Sequence, residues 1–597
     1  MIFGKHINRY YLKYAWMLLL GLFALIIVDV GQLLIPELYR MVVNGMNLGQ
    51  VEYNGTVYPF DMDFLLDKIC FPLIIIILVI VVGRFLWRVA FFGAAIKVET
   101  DIRDRMFNHS RKLAQQYYQV NKVGDLMSLF TNDLETVQDC YGNGVLMFFD
   151  AAFLGTLAFI KMLRMNIVLT VLSLIPMLFL FISGNIVGKR MSEKWERRQE
   201  SFSMLSDFAQ ESFSGIAVIK AFAKETKELL AFKILNKDNE RTNVEYTKVS
   251  TLLMISVTLF VESIVAVILG YGGYLVKTGV FEAGEMVEFI GYFTAIIWPI
   301  EAIAFLIEMS SKGAASLQRI GELLDSNIDV KDEEGLSDID DDVFKGRIEF
   351  RHMNFTYPLN DREVLHDVSF EIEPGENVGI LGRTGSGKTT IVDLIARTYN
   401  VDRGTLFIDG MDVNDIPIKT LRRQLAYVPQ DNFLFSETIA ENIAFSLKDK
   451  NEPDRDEQVS HAAKMADVYD NIKEFPDGFD TVLGERGVTV SGGQKQRISI
   501  ARALLKKAKI MILDDSVSAV DTKTEKNILT NLKNERSDMT TILIAHRIST
   551  MENMDKIIFV DDGRIVDVGS HEVLYERCDE YREMVDSQKI EDERRDA

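Results

Sequence analysis

Six apolar runs in the first half of the chain, each close to the length of a bilayer crossing, limit its fold more than any other feature. They cover residues about 15–35, 71–95, 145–163, 167–187, 252–276 and 286–307. A helix needs ~20 mainly apolar residues to cross the hydrocarbon of a membrane. Runs such as WMLLLGLFALIIVDVGQLLI and PLIIIILVIVVG fit that requirement. Soluble cores rarely repeat such runs this often. The first run is too long for a cleavable signal peptide, and no small-residue cleavage site follows it. A whole-chain hydrophobic content of 48% conceals the pattern, because the second half is polar.

The connections between the runs carry unequal charge. The segment 97–143 holds Arg103, Arg105, Arg111, Lys112 and Lys122. The segment 188–250 holds Lys189, Arg190, Lys194, Arg197, Arg198, Lys220, Lys224 and Lys227. On the other side, 44–68 holds only Lys68. Basic connections stay in the cytoplasm, so both termini are expected there, in a multi-pass protein of a cell membrane. The two long cytoplasmic connections contain no Pro and are expected to continue as helix beyond the bilayer.

Lys and Arg number 66 against 87 Asp and Glu, a net charge of −21. That balance argues against a nucleic-acid binder, which needs clustered cations for phosphate contacts. Cys70, Cys140 and Cys578 match neither a disulfide framework nor a metal-ligand spacing. Asp29, Asp150, Glu262, Glu288 and Glu301 lie within or near the apolar runs. Ionisable groups at that depth are costly and face a cavity or a partner such as Arg84 or Arg88. With the Phe, Tyr and Met around them they suggest a small amphipathic cargo, with cationic character.

After residue 324 the composition changes. DSNIDVKDEEGLSDIDDD, residues 325–342, is acidic and aperiodic and reads as a solvated linker. From 343 to 597, short β-branched strands alternate with helical segments in an α/β pattern. The reading is therefore a six-span α-helical membrane domain over 1–324 and an α/β P-loop domain over 343–597.

The strand-like VGIL runs into Gly382, Arg383, Thr384, Gly385, Ser386, Gly387, Lys388, Thr389 and Thr390, then into a helical IVDLIARTY. This is GxxxxGK[ST] placed between strand and helix, as a phosphate-binding loop requires. The glycines let backbone N–H groups turn inward, and the helix N-terminus favours negative charge. Lys388 would reach the β- and γ-phosphates of ATP, and Thr389 would ligate Mg²⁺. Downstream, IMILDD ends a buried strand in acids, and Asp514 is placed to hold Mg²⁺. In VSGGQKQRISIARAL, Ser491, Gly492, Gly493 and Gln494 open a second helix. This is a second phosphate site, and it implies service to ATP bound by another subunit.

Together these motifs resemble an ATP-binding-cassette (ABC) exporter half-transporter over nearly the whole chain. VSGGQ is similar to the family's signature, with Val490 where Leu is usual. The resemblance implies that Tyr357 stacks on adenine and that Gln430 senses Mg²⁺. It implies that Asp521 in SAVD lies in the loop after the second acidic motif, at the nucleotide. It also implies that His546 contacts the γ-phosphate. Segments 123–137 and 211–225 resemble the family's two intracellular loops, with short docking helices expected near 116–121 and 211–215.

One position departs from the family. Where a glutamate serves as general base, this chain has Asp515. The resemblance implies a weakly hydrolytic site and a heterodimer, whose other chain carries the glutamate and is completed by this chain's signature. A homodimeric lipid flippase and an ATP-gated regulatory membrane protein are the competing readings.

Overall fold

A computed structural model describes residues 3–358, 360–447, 452–484, 490–535, 538–545 and 547–596. It divides into two units. One holds residues 1–108 and 126–325, and the other holds 109–125 and 326–597.

The first unit contains six helices long and apolar enough to cross a membrane. They are Ala15–Leu48, Met62–Ser110, Val123–Met165, Ile167–Ser214, Glu225–Lys277 and Ala283–Asp325. Their apolar side chains are largely turned outward. Ile74, Leu78, Val81 and Phe85 of the second helix are all exposed, as a lipid-facing surface requires. The helices overrun the apolar sequence because nothing in the polar, Pro-free continuations stops them.

The connections on one side are tight. The first helix ends at Gly49 in the left-handed region and leads into a hairpin of β1 (Gln50–Tyr53) and β2 (Thr56–Pro59). Asn54 and Gly55 both have positive φ, the signature of a type I′ turn. The third and fourth helices are joined through Asn166 alone, whose side chain accepts from the Leu169 N–H. On the other side, the short helix Gln115–Val120 agrees with the expected docking helix. The second does not lie where expected. Ser214 still belongs to the fourth helix, and the short helix is Ile216–Ala221, on the far side of the break at Gly215. Residues 211–214, Glu-Ser-Phe-Ser, are tolerated in the long helix, and the break falls at Gly215, the poorest helix former of the stretch.

The second unit is built on two sheets. The strands are β3 (Ile348–Thr356), β4 (Glu363–Ile372), β5 (Asn377–Gly382), β6 (Leu406–Ile408), β7 (Met411–Asp412), β8 (Leu425–Val428), β9 (Ile510–Asp514), β10 (Thr540–Ile544), β11 (Lys556–Asp561) and β12 (Arg564–Gly569). The larger sheet runs β12-β11-β5-β10-β9-β8, parallel except for the β11–β12 hairpin. The smaller is antiparallel, in the order β4-β3-β6-β7. Every residue of β9 and β10 is buried, which suits the apolar stretches IMIL and ILI within them. Alternate residues feed two cores. Met511, Leu513 and Leu543 pack with Ile498 and Leu504 of the helix Gly492–Leu505. Ile510, Ile512 and Ile542 pack with Ile391 and Ile395 of the helix Lys388–Ile395.

The acidic segment after Asp325 is less solvated than its composition suggests. Glu333 pairs with Arg403 at 2.7 Å, Asp338 with Arg423 at 2.8 Å, and Asp332 lies 3.6 Å from Arg397. Its charges are matched by arginines more than 60 residues downstream, a pairing that local sequence does not reveal.

The turn between β11 and β12 bears on the phosphate loop. Gly563 has φ +75°, donates its N–H to Ser386 O and accepts from His366 N–H. A Cβ there would stand 2.2 Å from Val364 O. Gly563→Ala should cost about 1–3 kcal/mol of local backbone strain. The expected outcome is a lower unfolding temperature together with weaker ATP binding by the full-length protein. Unchanged values for both would show that this turn does not brace the loop.

Candidate ATP-binding site

β5 delivers the chain to residues 383–387, and the helix Lys388–Ile395 leaves from them. Gly387, at the helix N-cap, has φ +98°, and a Cβ there would meet Leu365 Cδ2 at 2.7 Å. Only glycine fits both the conformation and the space. Lys388 is buried, and its Nζ donates to Gly382 O at 2.9 Å and to Arg383 O at 2.7 Å. The ammonium thus spans the base of the loop. Burial lowers its pKa, opposed by the charges of Asp514 and Asp515. Among the described residues the buried Ser386 Oγ has no hydrogen-bond partner.

Asp514 ends β9 with 1% of its surface exposed. Thr389 Oγ1 donates to its Oδ1 at 3.3 Å and the Tyr427 hydroxyl to its Oδ2 at 3.4 Å. Burial pushes the Asp514 pKa up, and the Thr389 and Tyr427 hydroxyls and Lys388 oppose that. Thr389 and Asp514 therefore present an oxygen-only donor set, the kind a hard cation such as Mg²⁺ prefers. Asp515 follows with φ +47° and donates its N–H to Ile544 O at 2.9 Å. This left-handed turn aims its carboxylate away from the strand, where Gln430 Nε2 donates to Oδ2 at 3.4 Å. The structure thus brings Lys388, Thr389, Gln430, Asp514 and Asp515 together.

Tyr357 joins them through its hydroxyl, 2.7 Å from Thr390 Oγ1. Its ring meets Phe355 and Tyr399 edge to face. The Tyr399 hydroxyl accepts from Gln119 Nε2 at 2.9 Å, so the short helix Gln115–Val120 is linked to Thr390 through two tyrosines.

Ser491 caps the helix Gly492–Leu505 in a reciprocal capping box with Gln494. The sequence reading missed Gln496 one turn on. Its amide reaches Asp515 O at 3.5 Å and Ser518 Oγ at 3.4 Å, and its Oε1 accepts from Ala519 N–H at 3.0 Å. Gly493 packs so closely that a Cβ would lie 2.9 Å from Ala519 O. The signature helix is therefore tied to the segment that follows Asp515. Among the described residues, no hydrogen bond joins 491–494 to 382–390. Asp521 has a capping role, its Oδ1 accepting from Lys523 and Thr524 N–H. Those backbone bonds lower its pKa. Tyr427 was also missed, although an aromatic hydroxyl at the end of a strand beside Gln430 was a usable signal. His546 lies outside the described residues.

In the membrane unit, the acids do not share one role. Glu288 pairs with Arg40 at 3.0 Å and accepts from the Tyr292 hydroxyl at 2.6 Å. Asp150 accepts from Trp298 Nε1 at 2.6 Å. Asp29 is fully buried, and among the described residues neither carboxylate oxygen has a donor. Glu262 lines an apolar hollow with Met254, Leu259 and Thr258. Arg84 and Arg88 line a cavity with Asp150 and Trp298, without an ion pair to any described acid.

Comparison with known proteins agrees with both halves. The family profile described as "ABC transporter transmembrane region" matches residues 18–300, and that described as "ABC transporter" matches 365–518. The Bacillus subtilis protein named "Probable multidrug resistance ABC transporter ATP-binding/permease protein YheI" is 34% identical, covering 98% of this chain and 97% of that protein. The Escherichia coli "Multidrug resistance-like ATP-binding protein MdlA" is 33% identical, covering 98% and 96%. Among solved structures, a bacterial Atm1-family ABC exporter with ATP bound superposes with a TM-score of 0.72 at 26% identity, over 98% of each chain. The chain belongs to the ABC transporters, as an exporter-type half-transporter with its membrane region fused to its ATP-binding domain.

Proposed function

We propose that this chain is the weakly hydrolytic half of a heterodimeric exporter that drives amphipathic small molecules, drugs among them, out of the cell. The observation that carries the reading is Asp515 at the position of the general base. Its carboxylate is one methylene shorter than glutamate, about 1.5 Å less reach. Losing a well-placed base typically costs about 10²–10⁴-fold in rate. The resemblance to multidrug transporters supports the cargo class. Both termini and the ATP-binding domain would lie in the cytoplasm, as the basic connections imply.

In this reading the residues divide the work. The loop 382–390 and the helix N-terminus hold the phosphates, with Lys388 supplying the cation. Thr389 and Asp514 would hold Mg²⁺, with Gln430 beside them. A Mg²⁺ ion held there would supply positive charge against the phosphates. Ser491, Gly492, Gly493 and Gln494 face the ATP of the other chain. Gln496 then connects that signature to the segment after Asp515, so each site is mechanically informed of the other.

Three outcomes test this. Lys388→Ala should weaken nucleotide photolabelling of this chain about tenfold or more, because a charge-assisted contact is worth about 1.5–3 kcal/mol. Undiminished labelling would remove the loop from the ATP site. In the co-purified pair, Ser491→Arg should nearly abolish steady-state ATPase, Asp515→Asn should leave most of it, and Asp515→Glu should raise it. Equal damage from Ser491→Arg and Asp515→Asn would mean two equivalent sites and sink the heterodimer reading. Finally, Glu262→Gln should reduce vesicle export of ethidium more than that of a neutral amphiphile, since it withdraws a negative charge from a low-dielectric surface. Equal effects on both would exclude a cargo-facing role for that acid.

A further inference from the structure

A cavity of about 800 Å³ in the second unit lies apart from the ATP-binding residues except for Tyr427, which lines it. Its wall joins three stretches of chain far apart in sequence. Arg111 and Lys112 come from the segment 109–125, Lys331 from the acidic stretch, and Arg422 and Lys506 from the body of the domain. Five cations thus surround one hollow in a protein of net charge −21.

None of the five makes an ion pair among the described residues. Lys506 Nζ donates only to carbonyls, Arg422 O at 2.6 Å and Leu425 O at 2.5 Å. Arg422 does likewise, to Ala396 O at 3.2 Å and Arg397 O at 2.9 Å. Asp332, the one acid in the wall, is already engaged. It accepts from Ile418 N–H at 2.8 Å and lies 3.6 Å from Arg397. Burial lowers the Lys506 pKa, and the charge of Arg422 lowers it further. Like charges held around a partly buried space repel one another, and a multivalent anion among them reverses that term. Arginine forks and lysine ammoniums are the groups that recognise phosphate. The volume falls within the ordinary range of small-molecule sites, about 300–1,000 Å³, and exceeds what a single phosphate fills.

We propose that this cavity binds an anion carrying two or more phosphate groups, and that the bound anion fastens the segment 109–125 to the nucleotide-binding unit. A ligand that bridges Arg111 and Lys112 to Arg422 and Lys506 binds only where the segment is seated, and so stabilises the seated state. Tyr427 connects the cavity to Asp514 through its hydroxyl.

The test uses the full-length exporter, with any co-purifying chain, in nanodiscs of zwitterionic lipid. Its ATP sites are filled with Mg²⁺ and a non-hydrolysable ATP analogue, so that the phosphate loops are occupied. Pyrophosphate is the probe, followed by calorimetry and by hydrogen exchange of residues 109–125. The expected result is saturable binding with slowed exchange, at least tenfold weaker in the double variant Arg111→Glu, Lys112→Glu and in Lys331→Glu. These residues are exposed, and among the described residues their side chains make no hydrogen bond, so the variants should fold. Slowed exchange in phosphatidylglycerol nanodiscs without pyrophosphate, lost in the same variants, would assign the phosphates to lipid headgroups. Its absence there, with pyrophosphate binding intact, would assign them to a soluble anion. No saturable binding in either setting, or binding unaltered by the charge reversals, would overturn the proposal.

Discussion

Parallel pairing of β5 with β10, and of β10 with β9, is the interaction from which the rest of the nucleotide unit follows. Ile544 lies opposite Ile380 on one side and Asp514 on the other. Ile380, Ile544 and Asp514 therefore lie at the same level, and β5 runs two residues further to Gly382, where the phosphate loop begins. Ligands of open parallel sheets bind at these carboxyl ends because helix N-termini and strand ends converge there. The register puts the Asp514 carboxylate within reach of Thr389, although the two are separated by 125 positions.

The same sheet tolerates charges that would otherwise destabilise it. Lys388 and Asp514 are both buried, and neither has an ion pair among the described residues. Each is instead surrounded by partial charges: carbonyls around Lys388, hydroxyls around Asp514. Buried charges held by dipoles in this way are pre-organised for an incoming ion of the opposite sign. The left-handed turn at Asp515 adds strain at the same place, which fits a site whose geometry is set by function more than by stability.

Much of this was legible in the linear sequence because its signals are local. The six spans show in continuous apolar runs, and the phosphate loop shows in a short pattern between a strand and a helix. Asp514 is marked by the buried strand before it. What was not legible depends on pairing at a distance. Nothing near Gln496 announces its bonds to Ser518 and Ala519, and nothing near Asp338 announces Arg423. The second short helix was misplaced because polar residues before Gly215 read equally well as helix or as break. The sequence presents the membrane acids as one group, whereas side-chain geometry separates Glu288, which has an ion pair with Arg40 and a donor in Tyr292, from Asp29, which among the described residues has neither.

The segment 109–125 groups with residues 326–597 and leaves the rest of the membrane-spanning sequence on either side of it. The second unit is therefore discontinuous in sequence. During synthesis this segment emerges some 200 residues before the strands it joins. At roughly 5–20 residues per second, it waits on the order of 10–40 seconds for its partners. Its own six-residue helix is too short to be stable alone. Until the ribosome has delivered Asp329 and Tyr399, Gln116 and Gln119 remain without the acceptors they bond in the folded chain. Synthesis of this chain thus contains an interval in which one loop is complete as covalent chain but still lacks the residues it groups with.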